Sequence, residues 1–129
     1  SPGGEQLVNL PTWLWLGRGW STETSTAAVP GVSVTVTATP ETVRWNMGDG
    51  TIVSCAGAGS PSAAVCTHTY RRSSATQPGA AYPALATVVW RARWAVTGAS
   101  GGGDLGTIER TTAFDVRVAE RQTVNHPPH

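Results

Sequence analysis

The eight residues VSVTVTAT, 32 to 39, alternate without a break: Val32, Val34, Val36 and Ala38 fall on one side of an extended chain, and Ser33, Thr35, Thr37 and Thr39 on the other. A period of two with one apolar side is the signature of a half-buried β-strand. In ATVVWRARWAV, 86 to 96, Val88, Trp90, Ala92, Trp94 and Val96 share a side while Val89, Arg91 and Arg93 take the other. In TTAFDVRVAE, 111 to 120, Phe114, Val116 and Val118 point inward and Asp115 and Arg117 outward. A separate strand is expected to begin after Pro40, with Val43, Trp45 and Met47 on one face and Arg44 and Asn46 on the other. Gly48-Asp49-Gly50 then turns it into TIVSC as a hairpin. Adding LVNLPTWLWL (7 to 16) and the piece around CTHTY (66 to 70) gives roughly seven strands, and no segment has a helical period of comparable clarity. Strands with one apolar face bury it when two sheets pack together, so the expected class is all-β, an immunoglobulin-like β-sandwich, with a closed barrel as the alternative. The Gly-rich TGASGGGDLG, 97 to 106, reads as an exposed loop.

At 129 residues the chain has the length of one domain. Residues 7 to 121 are assigned to the sandwich, 1 to 6 to a linker and 122 to 129 to a C-terminal tail, as expected of a piece of a longer protein. Charged residues make up 13 % and all nine basic residues are arginine, leaving no cationic run beyond Arg71-Arg72. Nucleic acid needs a denser footprint and is excluded as a partner. The absence of lysine also excludes a Lys-Asn isopeptide crosslink, and with abundant Ala and Gly it points to a high-GC bacterial source. Cys55 and Cys66 are separated by AGAGSPSAAV, which has neither redox nor zinc spacing. One disulfide closing a short loop is preferred over two reduced thiols, which places the chain in an oxidising compartment, extracellular or on the cell surface. No apolar run reaches the length of a membrane span.

The segments TVRWNMGDGT and CTHTY together resemble the PKD family, whose hallmark is a W-D-F-G-D-G-T stretch followed later by H-T-Y. Trp45, Gly48, Asp49, Gly50 and Thr51 match, as do His68, Thr69 and Tyr70, while Asn46 and Met47 stand where the family usually has Asp and Phe. The resemblance covers about residues 30 to 98. The segments LPTWLW, W-x-MGDG, C-x-HTYRRSS and RVAE are also similar to uncharacterised secreted or membrane-anchored actinobacterial proteins. The turn has its own physical account: Gly48 and Gly50 supply positive φ, Asp49 accepts backbone N–H bonds across it, and Trp45 is a large core residue. The resemblance implies a structural strand for His68 and Tyr70, with the Tyr70 hydroxyl bonded to backbone. It also implies a non-catalytic extracellular module, a spacer, an adhesion unit or an accessory binder of protein or polysaccharide. Some members bind calcium near this stretch, but Asn46 removes a carboxylate there, and neither metal nor other cofactor is expected.

Four other groups of residues bear on chemistry. His68 with Asp49 and Ser73 or Ser74 is the only candidate catalytic set, and the structural motif already accounts for His68, so no enzyme is expected. His126 and His129 flank Pro-Pro, which keeps the tail extended and argues against a shared metal. Arg44, Arg91 and Arg93 lie opposite their strands' tryptophans, either as a patch for anionic wall polymers or as a solvated face paired with Asp115 and Glu109. In PTWLWLGRGW, Trp13 and Trp15 share one side and Leu14 and Leu16 the other, which predicts a strand buried on both sides or covered by another subunit. Trp20, with Arg18 beside it, is the candidate exposed aromatic for stacking on a sugar or a partner, unless it folds back over the end of the sandwich. The expected function is an interaction or spacer module. A carbohydrate-binding module using Trp20 and Arg18, or a self-assembly domain using the Trp-rich strand, are the alternatives.

Overall fold

The computed structural model describes residues 5–120, so the tail from 122, with His126 and His129, lies outside the described residues. The chain is all-β, with strands β1 (Gln6–Leu7), β2 (Pro11–Trp13), β3 (Glu23–Val29), β4 (Val32–Asn46), β5 (Ile52–Cys55), β6 (Thr67–Thr69), β7 (Tyr82–Thr97), β8 (Gly102–Val116) and β9 (Val118–Ala119). The large sheet has the order β3-β4-β7-β8, with β5 also paired to β4. Two short pairs complete the fold, β2 antiparallel to β6 and β1 parallel to β9. Pairing begins at Gln6, inside the stretch read as linker.

The two strands expected on either side of Pro40 are one. β4 pairs with β7 from Ser33↔Thr97 to Asn46↔Leu85, with a single irregularity between Pro40 and Thr42. The extra residue, Glu41, forms a bulge that switches the inward positions from even to odd numbers. Val36 and Ala38 therefore share a face with Val43, Trp45 and Met47, although the alternation in the sequence is broken. Pro40 is tolerated because β3 pairing has ended at Ala38 and β5 pairing starts at Val43, leaving that side of β4 open.

The Gly-rich segment is a second correction. Only the turn from Gly98 to Gly101 is a connection, and Gly102 onward pairs with β7. Trp94 explains the glycines: a Cβ on Gly103 would stand 3.0 Å from the Trp94 Nε1, and one on Gly101 would stand 3.1 Å from the same ring. The indole lies against a stretch of strand with no side chains. A loop-like composition here serves close approach within a sheet.

The core lies over one half of the large sheet. Val43, Trp45 and Met47 of β4, Tyr82, Ala84, Ala86, Val88 and Trp90 of β7, and Val116 meet Leu14, Cys66, Tyr70 and Val118 from the short pairs and their flanks. Phe114 packs edge-on against Trp45, ring centres 5.9 Å apart. Level with Trp90 and beyond it, toward the Pro30-Gly31 turn, the same face carries Ile108, Val29, Val32, Val34, Val36, Trp94 and Val96, none of them buried, and only the small Ala92 between them is buried. Two layers thus exist at one end of the molecule, while the other end is an arm of four strands.

Cys55 at the end of β5 and Cys66 just before β6 are joined in a disulfide, Cα atoms 6.1 Å apart. The bond ties the large sheet to the β2–β6 pair. Closing so short a loop stabilises the chain by about 2–3 kcal/mol. Replacing both cysteines by alanine should lower the unfolding free energy measured in urea by about 2–3 kcal/mol and steepen the denaturant slope, because the unfolded chain is no longer held by the loop. Unchanged stability would show that the staple carries no load.

Candidate functional site

The residues of the W-N-M-G-D-G-T and H-T-Y stretches converge at the β4–β5 corner. Gly48 has φ +79°, and a Cβ there would collide with the Pro83 backbone, so only glycine fits. Asn46 Oδ1 accepts the Gly48 N–H at 3.1 Å, and Asp49 Oδ1 accepts the Thr51 N–H at 3.1 Å, each closing a side-chain turn. Met47 N–H then donates to Thr51 O and the hairpin is complete.

Asp49 uses its second oxygen on β6, where His68 Nε2 lies 2.7 Å from Asp49 Oδ2. Their side chains are 8 % and 18 % exposed, so the pair is closed to solvent on most sides. The His68 ring meets Tyr70 edge-on at 4.6 Å, and Tyr70 stacks on Tyr82 at 4.7 Å. Tyr70 donates its hydroxyl proton to Met47 O at 2.9 Å, the backbone bond expected of it. Tyr82 donates to Arg72 O at 2.8 Å. Burial pushes the Tyr70 hydroxyl far above the usual phenol range, with the Asp49 charge adding to it, and burial raises Tyr82 in the same way.

Ser73 and Ser74 do not join His68. Ser74 is buried, and its hydroxyl oxygen accepts the Val118 N–H at 2.9 Å while donating to Ala80 O at 2.7 Å. It fastens β9 to the body of the domain. Neither this role nor the Tyr82 stack was legible in the sequence, although Tyr82, Ala84 and Ala86 continue in phase with Val88 and Trp90 and would have extended β7 backward to the corner. Among the described residues no group of three or more His, Cys, Asp and Glu side chains is placed to hold a metal ion.

On the opposite face of the large sheet, Arg44 pairs with Glu109 at 2.9 Å, as the solvated-face reading expects. Arg91 pairs with Asp104 at 2.8 Å and Glu41 at 3.3 Å, and Asp115 takes no part in these pairs. The Gly106 N–H and Arg91 together hold the Asp104 carboxyl below its ordinary range. Arg93 alone of the three has no ion pair among the described residues.

The Trp-rich stretch divides differently from expectation. Thr12 and Leu14 are buried while Trp13 is 39 % exposed, so within one chain the strand is covered on one side only. Trp20 is half-buried against the core, and the neighbouring Ser21 carbonyl accepts the Trp90 Nε1 proton at 3.4 Å. Trp20 thus folds back on the sandwich while Arg18 stays exposed. Comparison with known proteins adds no analogue: no family model matches the chain, and no curated protein or solved structure matches it.

Both tyrosines of the chain lie in this corner. A phenol whose folded pKa is raised keeps its proton when the unfolded chain has lost it, so the folded state loses stability as pH climbs above about 10. Phenolate absorbance should appear in one cooperative step together with loss of the fold. Reversible ionisation near pH 10 in the folded protein would contradict the burial of this pair.

Proposed function

We propose that this chain is a non-catalytic, PKD-like module of a secreted or cell-surface bacterial protein, a stapled sandwich that spaces its neighbours or presents surfaces to them. The observation that supports this reading best is where the candidate catalytic side chains spend their hydrogen bonds. Asp49 holds the turn and His68, and Ser74 holds β9. A nucleophile must be free to attack and its base within reach of it; here Asp49 and Ser74 each bond backbone, and among the described residues no hydrogen bond joins Ser74 to His68. The disulfide fits an oxidising compartment.

A second reading, glycan binding, is favoured by one observation: Trp13 shows 39 % of its surface on the outer side of β2. If a sugar ring stacks on this domain, Trp13 is a better platform than Trp20, whose ring packs on the core. Co-sedimentation with actinobacterial cell walls, chitin and cellulose separates the two. The scaffold reading predicts no retention on any polymer. Retention lost in Trp13→Ala and kept in Trp20→Ala would overturn it in favour of a glycan module, and Trp20→Ala should lower thermal stability in either case.

A further inference from the structure

The two edges of the large sheet are built differently. β8 carries Asp104, Glu109, Arg110 and Asp115, and its register with β7 is broken by a bulge at Leu105. Charges and bulges are the devices that keep edge strands from pairing with another chain. β3 has one charge, Glu23 at its first residue, and no proline, lysine or bulge through Val29. All seven of its residues are exposed.

The hairpin decides which backbone groups of β3 are free. Pro30 and Gly31 join Val29 to Val32 as a two-residue connection, so Val29 and Val32 form a mutually hydrogen-bonded pair. Alternation then makes Ala27–Val34, Ser25–Val36 and Glu23–Ala38 bonded pairs. Thr24, Thr26 and Ala28 direct their N–H and C=O groups away from β4. The 3.0 Å approach of Thr26 Oγ1 to Thr35 Oγ1 fits the closer side chains of a non-bonded pair.

We propose that the outer edge of β3 is a docking edge for β3 of a second copy of this chain, paired antiparallel about a two-fold axis at Thr26. That register sets Thr26 against Thr26 of the second copy and Thr24 against its Ala28, with about six hydrogen bonds across the junction. Glu23 falls opposite Val29 of the second copy, and the two Glu23 carboxylates end six residues apart, about 20 Å, well beyond the ~8 Å screening length at physiological salt. A parallel pairing would bring the two carboxylates together. On the same face Ala27 stands opposite Ser25 of the second copy, and the two-fold arrangement closes on itself. The edge is about 24 Å long on a sheet about 10 Å thick, roughly a third of the ~800 Å² per partner of a stable interface. The pairing is therefore reversible and forms where copies are held together at high local concentration, as on one surface. It stands on the sheet edge alone and does not depend on the scaffold reading.

Analytical ultracentrifugation from roughly 10 μM to roughly 1 mM tests it with the wild type, Thr26→Lys and Thr26→Glu. Thr26 is exposed, so both variants keep the fold, as near-UV circular dichroism will verify. The wild type is expected to move from monomer toward dimer as concentration rises. Each variant alone, with like charges facing across the axis, should need at least tenfold more protein, and an equimolar mixture of the two should restore or exceed wild-type association. A wild type that stays monomeric throughout would overturn the proposal. So would association that ignores both charges, or a mixture no better than its components.

Discussion

A strand that pairs with one neighbour from Ser33 to Asn46 keeps a single apolar face only if its alternation never breaks, and in β4 it breaks at Pro40-Glu41. The extra residue repairs the break. By bulging out, Glu41 brings Val43, Trp45 and Met47 to the side already occupied by Val36 and Ala38, and it places its carboxylate beside Arg91. Without that slip Trp45 would face solvent, and Leu14, Tyr70 and Val118 would lose Val43, Trp45 and Met47 from the face they close upon. Fully burying an aromatic or aliphatic side chain contributes about 1.5–3 kcal/mol each, so the core around Trp45 depends on one bulge.

The β4–β5 corner shows the same economy in its polar groups. Asn46, Asp49 and the Met47 backbone close the turn; the other oxygen of Asp49 reaches His68, and the Tyr70 hydroxyl returns to Met47. Partly buried polar groups are costly unless paired, and here a chain of pairs runs from the turn through β6 to the Tyr70–Tyr82 stack. An imidazole beside a carboxylate is the usual first sign of acid–base chemistry. In this corner the carboxylate also closes the turn, and the imidazole meets the Tyr70 ring.

Much of the fold was legible because period-two patterning is unambiguous over eight to eleven residues. The runs at 32 to 39 and 86 to 96 are parts of β4 and β7, the 111 to 120 run is divided at Arg117 between β8 and β9, and the Gly48-Asp49-Gly50 hairpin forms where its residues place it. The misreadings share one cause, since local signals cannot reveal what lies across a sheet. Pro40 reads as a terminator until its unpaired side is known, and Gly101–Gly103 reads as loop until Trp94 is seen lying against it. Trp13, Trp15 and Trp20 have equal weight in a composition, and only packing separates the exposed Trp13 from Trp20 on the core. At the corner, Trp45, Gly48, Asp49, His68 and Tyr70 were all legible from the motif, while Tyr82 and Ser74 come from separate parts of the chain.

The large sheet divides into a half that carries the core and an arm that does not. Amide hydrogen exchange on dilute protein tests this most directly, because opening free energy follows buried apolar contact and not strand length. The prediction is that amides bonded within the sheet at 43 to 47 and 84 to 90 exchange only by global unfolding. Those of the same strands at 33 to 37 and 93 to 96 should open several kcal/mol more easily. Uniform protection along the whole of β4 and β7 would contradict it, and would mean that the arm is as firmly held as the sandwich.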